Sequence, residues 1–240
     1  MKRIKILFAI PLMALGIAAL VSGCTLFGLK KQTDNNRPTN VDTIDAHLNM
    51  TAWAYIKSRG LQSHTKADTP LALLQRAIIY SGIDTMEYIK PGRTYICPNS
   101  ASVKLVFSGF FTAAGKAATK WQDYSPADVK NYLMYLILNQ QYSHYNLPYN
   151  DVTAQTLAPA GTYTTQPTGF RVVIPGSNPA TFASNPTSNM LIKVLNASNG
   201  NTSDYPIFVN ENNYIVTSDL LATNGVVDVV GTLVSPSRPQ

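Results

Sequence analysis

The spacing of apolar positions changes twice along the chain. From Ile6 to Leu20 the sequence is apolar without a charged residue. Beyond it the spacing becomes helical. Leu48, Ala52 and Ile56 form a short amphipathic stretch that ends at Gly60. Leu71, Leu74 and Ile78 recur at i, i+3 and i+7, with Thr69 as a cap, Pro70 at the first helical position and Gly82 as a stop. Ser125, Pro126 and Asp128 form a capping arrangement ahead of Val129, Leu133 and Leu136, which share one face. Between these stretches Val103, Phe107, Phe110, Phe111, Ala114 and Trp121 predict further helix over residues 103–121, interrupted by Gly109 and Gly115. The first three of these faces read as core, Leu136 included.

From about residue 150 the texture changes to Thr, Asn, Pro and Gly, broken by the β-rich runs RVVI (171–174), MLIKVL (190–195), IFV (207–209) and YIVT (214–217). IFV and YIVT, joined by NENN, predict a hairpin. NGVVDVVGTL, residues 224–233, predicts a terminal strand entered through a turn at Asn224 and Gly225. Helices first and strands afterwards argue for an α+β fold with antiparallel strands predominating. There is no internal repeat, so one module is expected.

The apolar run near the start belongs to a different layer of the argument. Lys2, Arg3 and Lys5 precede it and Val21-Ser22-Gly23-Cys24 follows it, which gives a positive region, an apolar region and a small-residue cleavage site. The last four residues resemble the bacterial lipobox, which implies a signal peptide over 1–23 and lipid on Cys24. Several acyl chains there would hold the protein on a membrane, at about 0.8 kcal/mol per buried CH₂. An ordinary secretory signal and an uncleaved anchor are the alternatives, since the uncharged stretch runs on to Leu29. Residues 24–45 then read as a polar tether, 46–236 as the domain and 237–240 as a tail. Thr25 is not the Asp that retains lipoproteins at the inner membrane of enteric bacteria, which favours the outer membrane.

Composition narrows the partners. The chain has 240 residues, 45% apolar and 13% charged, enough for a real core with few charged surface groups. Without Lys2, Arg3 and Lys5 its 19 basic residues exceed its 13 acidic ones by only three, and they do not cluster, so nucleic acid is not an expected partner. The only thiol besides Cys24 is Cys97, so a lipidated Cys24 leaves no intrachain disulfide. Cys97, in TYIC, reads as a small buried hydrophobe.

Three stretches, taken in order, resemble a fasciclin domain over residues 46–236. TYICPNSA (94–101) is similar to that family's first box, with Cys97 at the usual Ala position, Pro98 matching and Asn99 in place of Thr. VKNYLMYLILNQQYSHYNL (129–147) is similar to its helix with a Tyr-His pair, with Tyr135 matching but Leu136 where the His belongs. NGVVDVVGTL, preceded by VTSDLLATNG, is similar to its last box, with Asp228 where His is usual and Gly231 where Asp is usual. The resemblance implies N-terminal helices packed on a β-sandwich-like wedge, and an extracellular adhesion or interaction module without enzymatic activity. The missing His means that receptor binding through the Tyr-His region does not carry over.

The candidate chemistry is sparse. His47, His64 and His144 are widely spaced and form no metal-ligand pair, so no metal or cofactor is expected. Gly115-Lys116 is no phosphate loop, because Phe110 and Ala117 stand where Gly and a hydroxyl residue belong. The only Glu residues are Glu87 and Glu211, so a carboxylate pair would draw on Asp, with Asp219 and Asp228 the conceivable members. Asp219 reads as a cap or turn residue. Asp228 is expected to point to solvent from a strand whose Val neighbours point inward. Tyrosines are denser: Tyr132, Tyr135, Tyr142, Tyr145 and Tyr149 crowd together, the last three in or near YSHYNLPYN. Tyr135, Tyr142, Tyr145 and Tyr149 are therefore the candidate surface for an unknown protein or a glycan. The resulting expectation is a non-catalytic envelope lipoprotein acting in adhesion, with an accessory glycan-binding lipoprotein as the alternative and an unrecognised hydrolase as a third reading.

Overall fold

The structure, a computed structural model, describes residues 46–63, 69–172, 182–194, 206–210 and 213–237. Cys24, the signal segment, the tether, His64, Glu211 and the last three residues lie outside them. Helix α1 (Ala52–Ser58) starts at Thr51, whose side chain accepts the Ala54 amide. Helix α2 (Ala72–Ser81) starts later than its sequence predicts: Thr69 and Pro70 form a preceding turn, Leu71 is the N-cap without a side-chain bond, and Gly82 ends the helix at φ 64° as expected. A 3₁₀ turn (Thr85–Tyr88) leads to strand β1 (Arg93–Pro98). There Asn99 turns the chain into helix α3 (Ser100–Gly109) by accepting the Ser102 amide at 2.9 Å.

The helix expected over 103–121 is shorter than its spacing suggested. Phe110 leaves helical geometry at φ −114°, ψ 125°, and Phe110–Phe111 form strand β2, paired with β5 (Arg171–Val172). Aromatic side chains favour the extended form, and Phe110 packs here against Phe170 and Tyr132. Helix α4 (Pro126–Tyr135) begins as predicted, with Ser125 accepting the Asp128 amide. It ends one residue before Leu136, which is the C-cap and is buried; Ile137–Leu138 then form β3.

The remaining strands are β4 (Val152–Ala154), β6 (Met190–Val194), β7 (Ile207–Val209), β8 (Asn213–Ala222) and β9 (Gly225–Val230). Seven strands form one sheet in the order β3-β1-β9-β8-β7-β6-β4. Only β1 and β9 are parallel in it; every other pairing is antiparallel. The predicted hairpin is β7–β8, with Val209 opposite Asn213. The two edges nearly meet, because Leu138 bridges Thr156 and the Asn139 amide donates to the Gln155 carbonyl at 2.9 Å. The α+β class therefore stands, but the strands make one nearly closed, barrel-like sheet where a sandwich-like wedge was expected. Closure covers edges that would otherwise invite pairing with other chains.

The helices lie together, with α2 packing on α1, α3 and α4, while α1 reaches β9 and α3 reaches β1. No helix among the described residues is long and apolar enough to cross a membrane. Gly225 shows how closely the two central strands approach: a Cβ there would lie 2.1 Å from the Arg93 carbonyl oxygen, so β1 and β9 pair at this register only with glycine. Beside it, Asn224 ties three elements together. Its Oδ1 accepts the Ala52 amide, and its Nδ2 lies within bonding distance of the Tyr88 and Lys90 carbonyls and the Tyr95 hydroxyl.

Candidate functional site

The tyrosines singled out from the sequence separate into two populations. Tyr132 and Tyr135 are fully buried. Tyr132 donates to the Val234 carbonyl at 3.0 Å, and Tyr135 donates to the Asn189 carbonyl while accepting from Asn210 Nδ2 at 2.9 Å. Burial pushes both hydroxyls well above the ordinary tyrosine range. Tyr135 therefore belongs to the frame, and its place in a partner surface is withdrawn. The residues that bond its hydroxyl, Asn189 before β6 and Asn210 after β7, lie far along the chain, where local spacing cannot reveal them.

The other three sit on the segment joining β3 to β4. Tyr142 is half-buried, while Tyr145 is 89% exposed and Tyr149 is 50% exposed. The segment has its own order. The Asn146 side chain accepts the Ser143 amide at 2.8 Å and donates to the Gln141 carbonyl at 2.8 Å, and the Leu147 amide donates back to Ser143. Its flanks are fixed to strands: the Tyr142 amide donates to Thr94 Oγ1, and the Val194 amide donates to the Pro148 carbonyl. Tyr145 thus projects from a loop that is already folded.

Below the crown of this loop lies a cluster that joins His144 to Asp219 and Asp228, the two Asp residues singled out as conceivable members of a carboxylate pair. His144 places its backbone amide 3.2 Å from Asp219 Oδ1 and its ring Nδ1 2.6 Å from Asp219 Oδ2. With Asp219 a carboxylate, Nδ1 is the donor. Asp219 sits where the β8–β9 register slips, between Thr217 and Leu220, at φ 55°. That left-handed conformation is uncommon outside glycine and occurs here at a β-bulge. It aims the Asp219 amide at Asp228 Oδ1, 2.9 Å away.

Asp228 corrects a second expectation, because it is fully buried and does not face solvent. Every residue of β9 is buried, since both faces of this central strand are covered. The Val pairs on either side of Asp228 carried that signal: an unbroken apolar run marks a strand covered on both faces, whereas alternation marks a half-exposed one. Asp228 Oδ2 has no hydrogen-bond partner. Burial pushes the Asp228 carboxyl up to about 7; the nearby Asp219 charge adds to this, while the Asp219 amide and His144 oppose it.

The remaining candidates are quieter. Cys97 is free and fully buried, and burial pushes its thiol far up, so it is the inert residue its setting suggested. His47 bridges Leu221, two residues along β8 from the Asp219 that bonds His144. Among the described residues no group of three or more His, Cys, Asp or Glu is arranged to hold a metal ion. Glu87 pairs with Lys90 and Arg93, which hold its carboxyl below the usual range.

No protein-family model matches the chain, and no curated protein matches it. Among solved structures it is similar to one described as "Novel Fold Revealed by the Structure of a FAS1 Domain Pair from the Insect Cell Adhesion Molecule Fasciclin I". The identity is 11% and the TM-score 0.43, over 69% of this chain and 45% of that one, so the chain spans less than half of that structure's length.

Proposed function

We propose that this chain is a fasciclin-like lipoprotein of the bacterial cell envelope, held on the outer membrane through lipid on Cys24, which acts by contact with a protein partner and not by catalysis. The fold assignment rests on the placement of the family-like stretches. TYICPNSA forms β1 and runs through Pro98 into the Asn99 cap of α3, NGVVDVVGTL forms β9, and the two lie side by side as the parallel pair of the sheet.

The contact function rests on one observation: Tyr145, 89% exposed, stands on a loop whose turn is internally bonded and whose flanks are fixed to strands. A loop ordered before binding has little backbone entropy left to lose on association, and a tyrosine side chain adds only two rotatable angles. Tyr149, also exposed, extends the surface toward Asp151, whose carboxylate pairs with Lys193 at 3.1 Å. A glycan is the second reading, favoured by the same exposed ring, whose face suits stacking on a sugar.

A photoreactive residue in place of Tyr145, activated in intact cells, separates the readings. A discrete protein adduct, absent from a control carrying the same residue at Lys104, supports the protein-contact function. A sugar-array signal without an adduct supports the glycan reading, and neither result removes both. The anchor is tested apart from this: Cys24→Ala is expected to abolish incorporation of labelled palmitate, and unchanged labelling rejects the lipobox.

A further inference from the structure

Asp228 poses a physical problem that the contact function leaves unsolved. It is an ionisable group at the centre of the sheet, with one oxygen bonded and the other bare, linked through a strained residue to the crown of an exposed loop. We propose that His144, Asp219 and Asp228 form a proton-linked latch, in which a neutral Asp228 keeps the tyrosine loop clamped to β8 and its ionisation releases the loop.

In the clamped state each contact supports the next. Asp228 Oδ1 accepts the Asp219 amide at 2.9 Å, which holds Asp219 at φ 55°. In that conformation the Asp219 carboxylate grips the loop twice, at the ring and at the backbone amide of His144. The flanks of the loop are fixed elsewhere, at Thr94 and at Val194, so this grip bears on the crown that carries Tyr145.

Ionisation of Asp228 turns the arrangement against itself. A second negative charge arises beside Asp219, inside the sheet, with Oδ2 bare of any donor. The groups that face it supply little relief. Asp219 from β8 gives its amide to Oδ1, which favours the charge, but sets its own carboxylate against it. His144 from the loop favours the charge, but its ring Nδ1 is bonded to the Asp219 carboxylate and not to Asp228. Cys97 from β1 is a neutral thiol that Asp228 itself helps to keep protonated. An unpaired buried charge is costly, and the bulge offers a way out. A non-glycine residue in the left-handed region carries backbone strain. If Asp219 rotates to ordinary extended geometry, that strain is lost, water reaches Asp228, and the Asp219 carboxylate moves off His144. The loop then opens at its crown and stays tethered at its flanks. This switch belongs to the loop itself and does not depend on what the tyrosines bind.

The test is amide hydrogen exchange on the full-length protein in detergent, at about pH 6 and about pH 8.5, with rates corrected for intrinsic exchange. The latch predicts that peptides covering 141–149 and 216–221 exchange at least about tenfold faster at the higher pH, while a peptide from α4 does not change. In Asp228→Asn, which keeps an acceptor for the Asp219 amide but cannot ionise, both segments are expected to stay protected at both pH values. His144→Gln, a change at a part-exposed residue, keeps the result readable if the buried variant does not fold: its loop is expected to exchange fast at both pH values, while 216–221 keeps its pH dependence because Asp228 still titrates there. Equal corrected rates at the two pH values in the natural protein overturn the latch, as does a pH dependence that persists in Asp228→Asn or one that is lost from 216–221 in His144→Gln.

Discussion

The entry and the middle of strand β9 solve the same problem in opposite ways. At its entry, Asn224 buries a polar side chain and gives every polar atom a partner: the Ala52 amide, the Tyr88 and Lys90 carbonyls and the Tyr95 hydroxyl. Four residues on, Asp228 is as deeply buried but bonds through one oxygen only. A fully satisfied amide carries no proton equilibrium, so the entry end holds α1, the 3₁₀ turn and β1 together at any pH. A half-satisfied acid has a reason to change state. The difference marks Asn224 as architecture and Asp228 as the part of the strand that can respond to its surroundings.

The entry end should break hardest. Gly225→Ala puts a methyl group 2.1 Å from the Arg93 carbonyl oxygen, a backbone atom that cannot step aside without separating β1 from β9. The expected loss is above about 4 kcal/mol, seen as failure to fold or a collapse of the melting temperature. Asn224→Ala is the next largest. It strands the Ala52 amide and removes the donor shared by two carbonyls, at a cost of about 3 kcal/mol in denaturant unfolding. A loss below about 1 kcal/mol would remove Asn224 from the frame and erase the contrast.

The middle of the strand should respond to pH instead. The Asp228 carboxyl is raised from 3.8 to about 7 in the folded protein. Between these values the native state holds a proton that the unfolded chain has released, so this group's contribution to stability falls as pH rises and is flat above the folded value. Three pH units correspond to about 4 kcal/mol as an upper bound. Asp228→Asn removes that slope. The variant is expected to match the natural protein near pH 4 and to exceed it by about 2 kcal/mol near pH 8, measured as the difference between two urea unfolding series. Parallel curves across that range would show that Asp228 does not titrate in it.

How much of this was legible depended on how local the cause was. Ser125 and Pro126 opened a helix because capping involves residues within one turn, and Gly82 closed one for the same reason. The terminal strand was readable from its valines. Leu136 was read as core and is core, but as the cap after α4 and not as part of its stripe, since β3 begins directly after it. Phe110 was placed in a helix because its partner for strand pairing, Val172, lies far along the chain. The near-closure of the sheet depends on Leu138 meeting Thr156, which no periodicity encodes. The site was legible in pieces only. His144 and Asp219 are 75 positions apart in the chain, and their contact exists because the β8 bulge and the loop after β3 arrive at the same place. The doubled valines did carry the burial of Asp228, through a principle about central strands that outweighs simple alternation.

The smallest effect on stability should come from the most prominent residue. Tyr145 is 89% exposed, and its backbone amide lies 3.3 Å from Ser143 Oγ, a contact that does not depend on the ring. Removing the ring in Tyr145→Ala takes almost nothing out of the packed interior, so folding free energy should change by no more than about 0.5 kcal/mol. Tyr135→Phe keeps its ring but loses the hydroxyl that joins Asn210 to Asn189, and should cost more, about 1 kcal/mol, despite being the milder change on paper. The pair sharpens the distinction between frame and surface within one residue type. If Tyr145→Ala were the more destabilising, the loop crown would belong to the core and its exposed ring would need a structural explanation. If the order holds, any loss of contact in Tyr145→Ala can be assigned to binding, because the fold beneath it is unchanged.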